Sequence, residues 1–282
     1  MAGDLHTHTN FSDGSSDIEL LPFLAQRADL SHLAVSDHDT AKCIQYALDN
    51  KKVNGVELVP AVELTAFDEK RARRVHILCY YPELTTEICK FFDIMADRRN
   101  KACDKSIEQL CCTYPQFTRE KAKEYALRSG VTFKTHLIKL LFEYGYTDGI
   151  YKELYKELFG SKCGKVLHDP AYENVQTVLG IAQRAHGVIV LAHPSVYDSM
   201  QLAKELAEEG QIDGIEINHP KNTSKDKEEL SALANKYNLI ITGCSDFHGS
   251  NMSLPTPIGG FVTDCDNISR IKELAYTKKC TK

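Results

Sequence analysis

Short apolar runs alternate with amphipathic stretches along this chain. The apolar runs are HLAVS (32–36), VELVPAVEL (56–64), RRVHILCYY (73–81), GVIVLAH (187–193), GIEIN (214–218) and LIITGC (239–244). Most are rich in β-branched residues and follow Gly or a polar residue, as buried strands do. Between them, apolar residues recur at helical spacing. DIELLPFLAQRA (17–28) opens with Asp17 as an N-cap candidate. ENVQTVLGIAQRA (173–185) sets Val175, Val178, Leu179 and Ala182 on one face, and SMQLAKELAEEG (199–210) stops at Gly210. SKDKEELSALANKY (224–237) puts Leu230, Leu233 and Ala234 on one stripe. Strands alternating with helices predict a parallel sheet with helical crossovers. A closed α/β barrel is the natural form at 282 residues.

The alternation breaks between 85 and 168, where no strand pattern is found. The stretch 86–112 reads as one long helix, and 118–130, 133–146 and 148–160 read as shorter ones. We therefore expect a catalytic barrel formed by 1–84 and 169–282. The helical insertion 85–168 is expected to cover its strand ends.

Composition narrows the function. Apolar residues make up 43% and charged residues 26%, ordinary for a globular protein. The net charge of −5 disfavours a protein that grips duplex nucleic acid by its phosphates. A small phosphorylated substrate needs only a local basic pocket. No run approaches the roughly 18–20 apolar residues of a membrane span, and the N-terminus lacks a signal-peptide pattern. The expectation is a cytoplasmic protein. Its 10 cysteines form no C-x-x-C pair, so they read as reduced, mostly buried thiols.

The histidines are the informative residues. Of 11, seven fall in or just after an apolar run: His6, His8, His38, His76, His193, His219 and His248. Barrel active sites lie at the C-terminal strand ends. His6 and His8 project to one face of a strand and can grip one cation. Asp13 follows in the loop, and VSDHDT (35–40) presents His38 between Asp37 and Asp39. Glu63 sits inside an apolar stretch, where a carboxylate is costly unless paired or coordinated. His193 and His219 each precede a Pro, which stops the strand, and CSDFHGS (244–250) gives Asp246 and His248 two apart. Each element alone has a structural reading, such as a helix N-cap for Asp39. Their joint placement on successive strands is what a multi-metal site requires.

The motifs HTHTNFSDGS, SDHDT, VELTA, VHILCYY, LAHP, IEINHP and SDFHGS, in that order, resemble those of the polymerase and histidinol phosphatase (PHP) family of the amidohydrolase superfamily. The resemblance covers nearly the whole chain. It is closest to stand-alone phosphoesterases with a helical insertion, among them nucleotide phosphatases and an enzyme trimming short RNA from its 5′ end. It implies a distorted (β/α)7 TIM-like barrel holding two or three divalent metal ions, with Mn expected and Zn or Fe also suited to the ligands. Carried over residue by residue, His6, His8, Glu63 and Asp246 hold one ion. Glu63 bridges to a second, bound also by His76 and His193. Asp13, His38 and His248 hold a third, and Asp13 stands where some family members have His. The resemblance also assigns phosphate-binding roles to Arg98 and Arg99, and to Lys134 of FKTHL, where the subgroup has Arg in G-R-P-H. His219 is a further phosphate contact, and His219 or His136 is the proton donor to the leaving group. His32, His168 and His186 match no motif and read as structural or surface residues.

The implied reaction is hydrolysis of a phosphomonoester by metal-activated hydroxide. The expected substrate is a nucleotide of the adenosine monophosphate or 3′,5′-bisphosphate type. Alternatives are a 5′–3′ exoribonuclease or phosphodiesterase on short oligonucleotides, and a histidinol phosphate-type phosphatase. A C–N hydrolase of the superfamily often bridges its metals with a modified Lys, and no Lys occupies such a strand end here. A metal-stabilised binding module would favour Cys ligands. A polymerase proofreading module would need a far longer chain.

Overall fold

The computed structural model describes residues 2–161 and 163–280. The chain runs β1 (Ala2–Thr7), α1 (Leu21–Arg27), β2 (His32–Val35), α2 (Lys42–Asn50), β3 (Lys52–Val53), β4 (Val56–Leu58), β5 (Ala61–Asp68) and β6 (Arg73–Tyr80). Four helices follow: α3 (Thr86–Thr113), α4 (Arg119–Glu124), α5 (Lys134–Glu143) and α6 (Glu153–Phe159). Alternation resumes with β7 (Glu173–Asn174), α7 (Val175–Arg184), β8 (Val188–Leu191), α8 (Met200–Glu208), β9 (Gly214–Asn218), α9 (Ser224–Tyr237), β10 (Ile240–Gly243), β11 (Thr263–Asp264) and α10 (Cys265–Cys280).

The strands form two sheets, ordered β11-β1-β2-β4-β3 and β10-β9-β8-β6-β5-β7. The bridges Thr7↔Phe247 and His38↔Glu63 link the two sheets beside the histidine-bearing strand ends. The fold is mixed α/β. The parallel sheet expected from the alternation holds for β1–β2–β4 and for β8–β9–β10. It fails at β6, which pairs antiparallel with both β5 and β8. The reason is local: only four residues, 69–72, join β5 to β6, and a connection that short makes a hairpin, not a crossover.

Local chemistry sets the helix ends. Thr85 caps α3, its hydroxyl accepting from the Ile88 N–H at 3.3 Å. Thr223 and Asp226 form a reciprocal capping box on α9. Asp17, expected as an N-cap, makes no cap bond; it pairs instead with Arg128 at 3.1 Å. The C-terminal helix α10, absent from the expectation, buries Ile268, Ile271 and Ala275.

The main core packs Leu33, Val62, Leu64, Ile77, Ile189 and Ile215 against the flanking helices. The long helix α3 serves two cores. Ile88, Phe91 and Met95 join the main one, whereas Ile107 and Leu110 pack with Leu137, Leu141 and Phe159 of the helical segment. A further cluster of Leu78, Tyr80, Val190 and Ile240 with Ile268 and Ile271 of α10 is buried. Leu78 and Tyr80 share the face of His76 by the two-residue period of a strand. This cluster therefore underlies the polar site and seals it from below. Of the thiols, Cys43, Cys79, Cys103 and Cys244 are buried, whereas Cys111, Cys112, Cys163 and Cys280 are exposed, contrary to the mostly buried set expected. Among the described residues no helix is long and apolar enough to cross a membrane.

Candidate active site

Glu63 is the centre of the polar cluster. Its Oε1 lies 2.8 Å from His76 Nδ1 and 3.0 Å from His193 Nε2. Its Oε2 lies 3.3 Å from Nε2 of both His6 and His8, and 3.0 Å from His38 Nδ1. Asp246 Oδ1 stands 3.7 and 3.5 Å from those same His6 and His8 nitrogens. Asp13 Oδ1 lies 3.4 Å from His248 Nε2 and 3.7 Å from His38 Nε2. All of the expected ligand residues therefore converge. The groups are not disjoint: His8 joins Asp13, His38 and His248, and His38 also joins Glu63 and His76.

Secondary structure explains the convergence. His6 and Glu63 lie within β1 and β5, while His38, His193 and Asp246 lie just beyond β2, β8 and β10. His76 lies near the middle of the reversed strand β6, opposite Thr65 of β5, so it reaches the site from within a strand. His193 and Asp246 have φ of 27° and 51°, a region non-glycine residues rarely occupy. The chain accepts that strain where it turns these two side chains inward. A Cβ on Gly14 would meet the His8 carbonyl at 2.6 Å, so glycine is needed to fold the Asp13 loop onto β1.

Further carboxylates orient the cluster. Glu216 accepts from His6 Nδ1–H at 3.1 Å and from the His193 N–H at 3.0 Å. Asp37 accepts from the Thr9 N–H, the Thr9 hydroxyl and the Ser12 hydroxyl, which fixes the loop that carries Asp13. In the sequence Asp37 was noted only as a neighbour of His38, and Glu216 was passed over. The signal for Glu216 was present, because it is a mid-strand carboxylate between Ile215 and Ile217 just as Glu63 lies between Val62 and Leu64.

Charge is shared unevenly. Burial and the neighbouring charges of His248 and His38 push His8 down to about 3. Burial takes His76 to about 4 against the pull of Glu63. Burial opposes charge on His248 too, but Asp13 and Asp246 overcome it and raise it to about 9. Glu63 stays well below the usual carboxylate range despite its burial, because His76, His6 and His38 surround it. The fit to divalent metals is good: His38 Nδ1 lies 3.0 Å from Glu63 Oε2 yet makes no hydrogen bond. Imidazole nitrogens and carboxylate oxygens this close are spaced as ligands of shared or neighbouring ions are, given metal–ligand distances of about 2.0–2.2 Å, and His38 stands within reach of both the Asp13–His248 group and the Glu63–His76 group. The nitrogen and oxygen set suits Mn, Fe or Zn.

Beside the cluster lies a cavity of about 260 Å³. Asp13, His38, Glu63, His76, His193, Asp246 and His248 form one wall. Arg74, Arg99 and Lys134 also line it. Arg99 is tied to Asp39 at 2.5 Å and lies over the Phe133 ring at 5.2 Å. Lys134 pairs with Asp169 at 2.7 Å. Arg74 forms no ion pair with the described carboxylates; its guanidinium rests on Tyr197 at 5.2 Å and Tyr172 at 6.0 Å. Arg74 was missed in the sequence, although it stands two residues before His76 and so shares its face.

Three expected substrate-site residues lie elsewhere. Arg98, one helical step of about 100° from Arg99, turns off the cavity to Glu173 at 2.8 Å and the Ala171 carbonyl at 2.7 Å. His136 is buried, and its Nδ1 accepts from the Phe133 N–H at 3.3 Å, which caps α5; burial pushes it down to about 4. His219 is fully buried behind Asp246, 3.4 Å from its Oδ2. His168, read as a structural or surface residue, lines the cavity.

No family model matches the chain. It is 31% identical over 258 residues to phosphoribosyl 1,2-cyclic phosphate 1,2-diphosphodiesterase of Eggerthella lenta, covering 90% of this chain and 97% of that protein. It is 28% identical over 272 residues to the 5′–3′ exoribonuclease Rnm of Escherichia coli, covering 91% of each. A solved chain from Bifidobacterium adolescentis, assigned as a metal-dependent phosphoesterase, superposes with a TM-score of 0.85 at 25% identity over 96% of both chains. An amidohydrolase from Chromobacterium violaceum, solved with sulfate and no metal, has a TM-score of 0.79 at 20% identity, over 96% of both chains, and shares the fold.

Proposed function

The chain belongs to the PHP family of metal-dependent phosphoesterases, and we propose that it hydrolyses a phosphate ester of a small ribose-containing substrate, a nucleotide or phosphorylated ribose. One observation carries this reading: the ligand cluster around Glu63 and Arg74, which has no ion pair among the described residues, face the same cavity. Its volume of about 260 Å³ lies below the roughly 300–1,000 Å³ usual for drug-sized ligands. A mononucleotide or sugar phosphate suits such a space better than a long oligonucleotide.

In this proposal His6, His8, Glu63, Asp246, His76 and His193 hold two divalent ions, and Asp13, His38 and His248 a third. Such ions, when bound, lower the pKa of water and offset phosphoryl charge. The remaining steps belong to the protein. Glu216 fixes the His6 ring. Arg74, with Lys134 and Arg99 on the same cavity wall, supplies charge-assisted hydrogen bonds to the phosphate oxygens of the substrate. The inserted helices exclude water from the cavity roof. We also read the two linked sheets as a distorted seven-stranded barrel.

A second reading is cleavage of a phosphodiester. The curated relatives support it, since one is described as acting on a cyclic phosphate and another as an exoribonuclease. Chelator-treated protein reloaded with Mn²⁺ should be offered adenosine monophosphate, a nucleoside 3′,5′-bisphosphate, a ribose cyclic phosphate and a 5′-phosphorylated dinucleotide. Phosphate release from a monoester supports the first reading, whereas ring opening or nucleotide release alone supports the second. Turnover of none of them by the loaded protein would sink both.

A further inference from the structure

The three cations on the cavity wall are held in different ways. Lys134 is tied to Asp169 at 2.7 Å. Arg99 is tied to Asp39 at 2.5 Å and donates to the Thr65 hydroxyl at 2.6 Å. A carboxylate against a guanidinium occupies its in-plane N–H donors and offsets its charge. Arg74 rests instead against two aromatic rings, those of Tyr197 at 5.2 Å and Tyr172 at 6.0 Å from its guanidinium carbon. Tyr172 also bonds it through its hydroxyl. A cation over a ring is attracted through the face of the ring, so the remaining donors in the guanidinium plane stay available to an anion.

Tyr197 has further neighbours. Its ring centroid lies 4.8 Å from that of His76 and 5.7 Å from that of His193, two of the expected ligands. One ring therefore touches two ligand imidazoles and the guanidinium of Arg74. Arg74 and His76 share a face of β6, two residues or about 6.6 Å apart along the strand. A free arginine side chain at that distance could swing over the ligands or away from them. The loop that carries Tyr197 is itself fixed. The Val196 N–H donates to the His193 carbonyl at 2.9 Å, and the Ser199 N–H to the Pro194 carbonyl at 2.7 Å. Arg73 donates to the Asp198 carbonyl at 2.8 Å, which ties the loop to β6.

Resting on the reading that Arg74 binds substrate phosphate, we propose that Tyr197 is a positioning residue whose ring holds the Arg74 guanidinium at a fixed distance from the ligand imidazoles, with its in-plane donors presented to the phosphate. The ring keeps the cation in place without neutralising it, which a carboxylate would not do. Removing the ring leaves the charge but frees the side chain, which must then be ordered anew each time an anion binds. Anion affinity falls while the reacting centre is unaltered. The Tyr197 hydroxyl has no part in this role.

A double-mutant cycle on the Mn²⁺-loaded protein tests this. Inorganic phosphate is titrated by calorimetry into the wild type, Tyr197→Leu, Tyr197→Met, Tyr197→Phe, Arg74→Met and the double variant Arg74→Met with Tyr197→Leu. KM and kcat on adenosine monophosphate are measured beside it. Tyr197→Leu and Tyr197→Met lack a ring, and each should weaken phosphate binding about three- to thirtyfold, the range of a cation–π contact. KM should rise in step with kcat little changed, as for a loss of uniform binding. Tyr197→Phe keeps the ring and should match the wild type. In the Arg74→Met background, Tyr197→Leu should weaken phosphate binding by less than about twofold, the scatter of non-interacting sites. Bound manganese should match the wild type throughout. An equal loss with and without Arg74, wild-type affinity in both ringless variants, the same loss in Tyr197→Phe, or lost manganese overturns the assignment. Unchanged phosphate affinity in Arg74→Met overturns the reading of Arg74 as well, so the two failures are distinct.

Discussion

The ring of His6 meets the carboxylate of Glu216 at 3.1 Å through Nδ1 and Oε1, and both side chains are fully buried. This contact fixes the tautomer of His6 and leaves Nε2 facing Glu63. Outer carboxylates of this kind typically contribute about 10–100-fold in metal affinity. Glu216→Gln is therefore expected to weaken divalent-ion binding by that factor while the fold is kept. Calorimetric titration of the metal-free protein with Mn²⁺ reads this, and wild-type affinity in the variant would refute it.

Asp246 reaches toward His6 and His8 with one oxygen and toward His219 with the other. Asp246→Asn keeps the shape but removes the negative charge a cation needs. Turnover should fall to background, and bound metal measured by mass spectrometry should drop by one ion. A variant with most of its activity would end the proposed ligand assignment.

Arg74 and Arg98 give opposite expectations. Loss of a charged hydrogen bond costs about 1.5–3 kcal/mol, or roughly ten- to a hundredfold in affinity. Arg74→Met should raise KM by that factor and change kcat less. Arg98→Ala, which loses the ion pair with Glu173 and the bond to the Ala171 carbonyl away from the cavity, should leave KM near wild type. Steady-state kinetics of the two variants side by side decides the matter.

His136→Ala should act on stability and not on chemistry. The lost cap is typically worth ~1 kcal/mol, a fall in melting temperature of roughly 2–4 °C for a chain of this size. Loss of a general acid would lower kcat about 10²–10⁴-fold, so a loss of under about tenfold in kcat separates the two roles.

Cation binding should expel protons even in mildly alkaline solution. His248 is raised to about 9 in the metal-free protein, so it is largely protonated at pH 8 and must lose that proton to become a ligand. Metal affinity should then rise with pH up to about 9. The sign for folding is the reverse: the contribution of His248 to metal-free stability is full below its unfolded value of about 6.5 and is lost as pH rises through about 9. Titrations at pH 8 in buffers of different ionisation enthalpy count the protons, and a count of zero would contradict the assignment.

What the sequence determined by itself was the chemistry and most of the elements. Imidazoles and carboxylates placed repeatedly in or after apolar runs are costly in a core unless coordinated, so His6, Glu63, His193 and Asp246 were legible from residue type and position alone. The long α3 and the helices α1, α7, α8 and α9 were legible because amphipathic period is a local property, whereas α2 and α10 were not read. Only the tertiary structure decided direction and partnership. The reversal of β6, the choice of Arg99 over Arg98 for the cavity, the commitment of His136 to a helix cap and the place of Arg74 on the cavity wall all depend on distant neighbours. A linear pattern carries period and polarity, but which side of an element faces an acidic cluster is set by packing, which the chain acquires only when it folds.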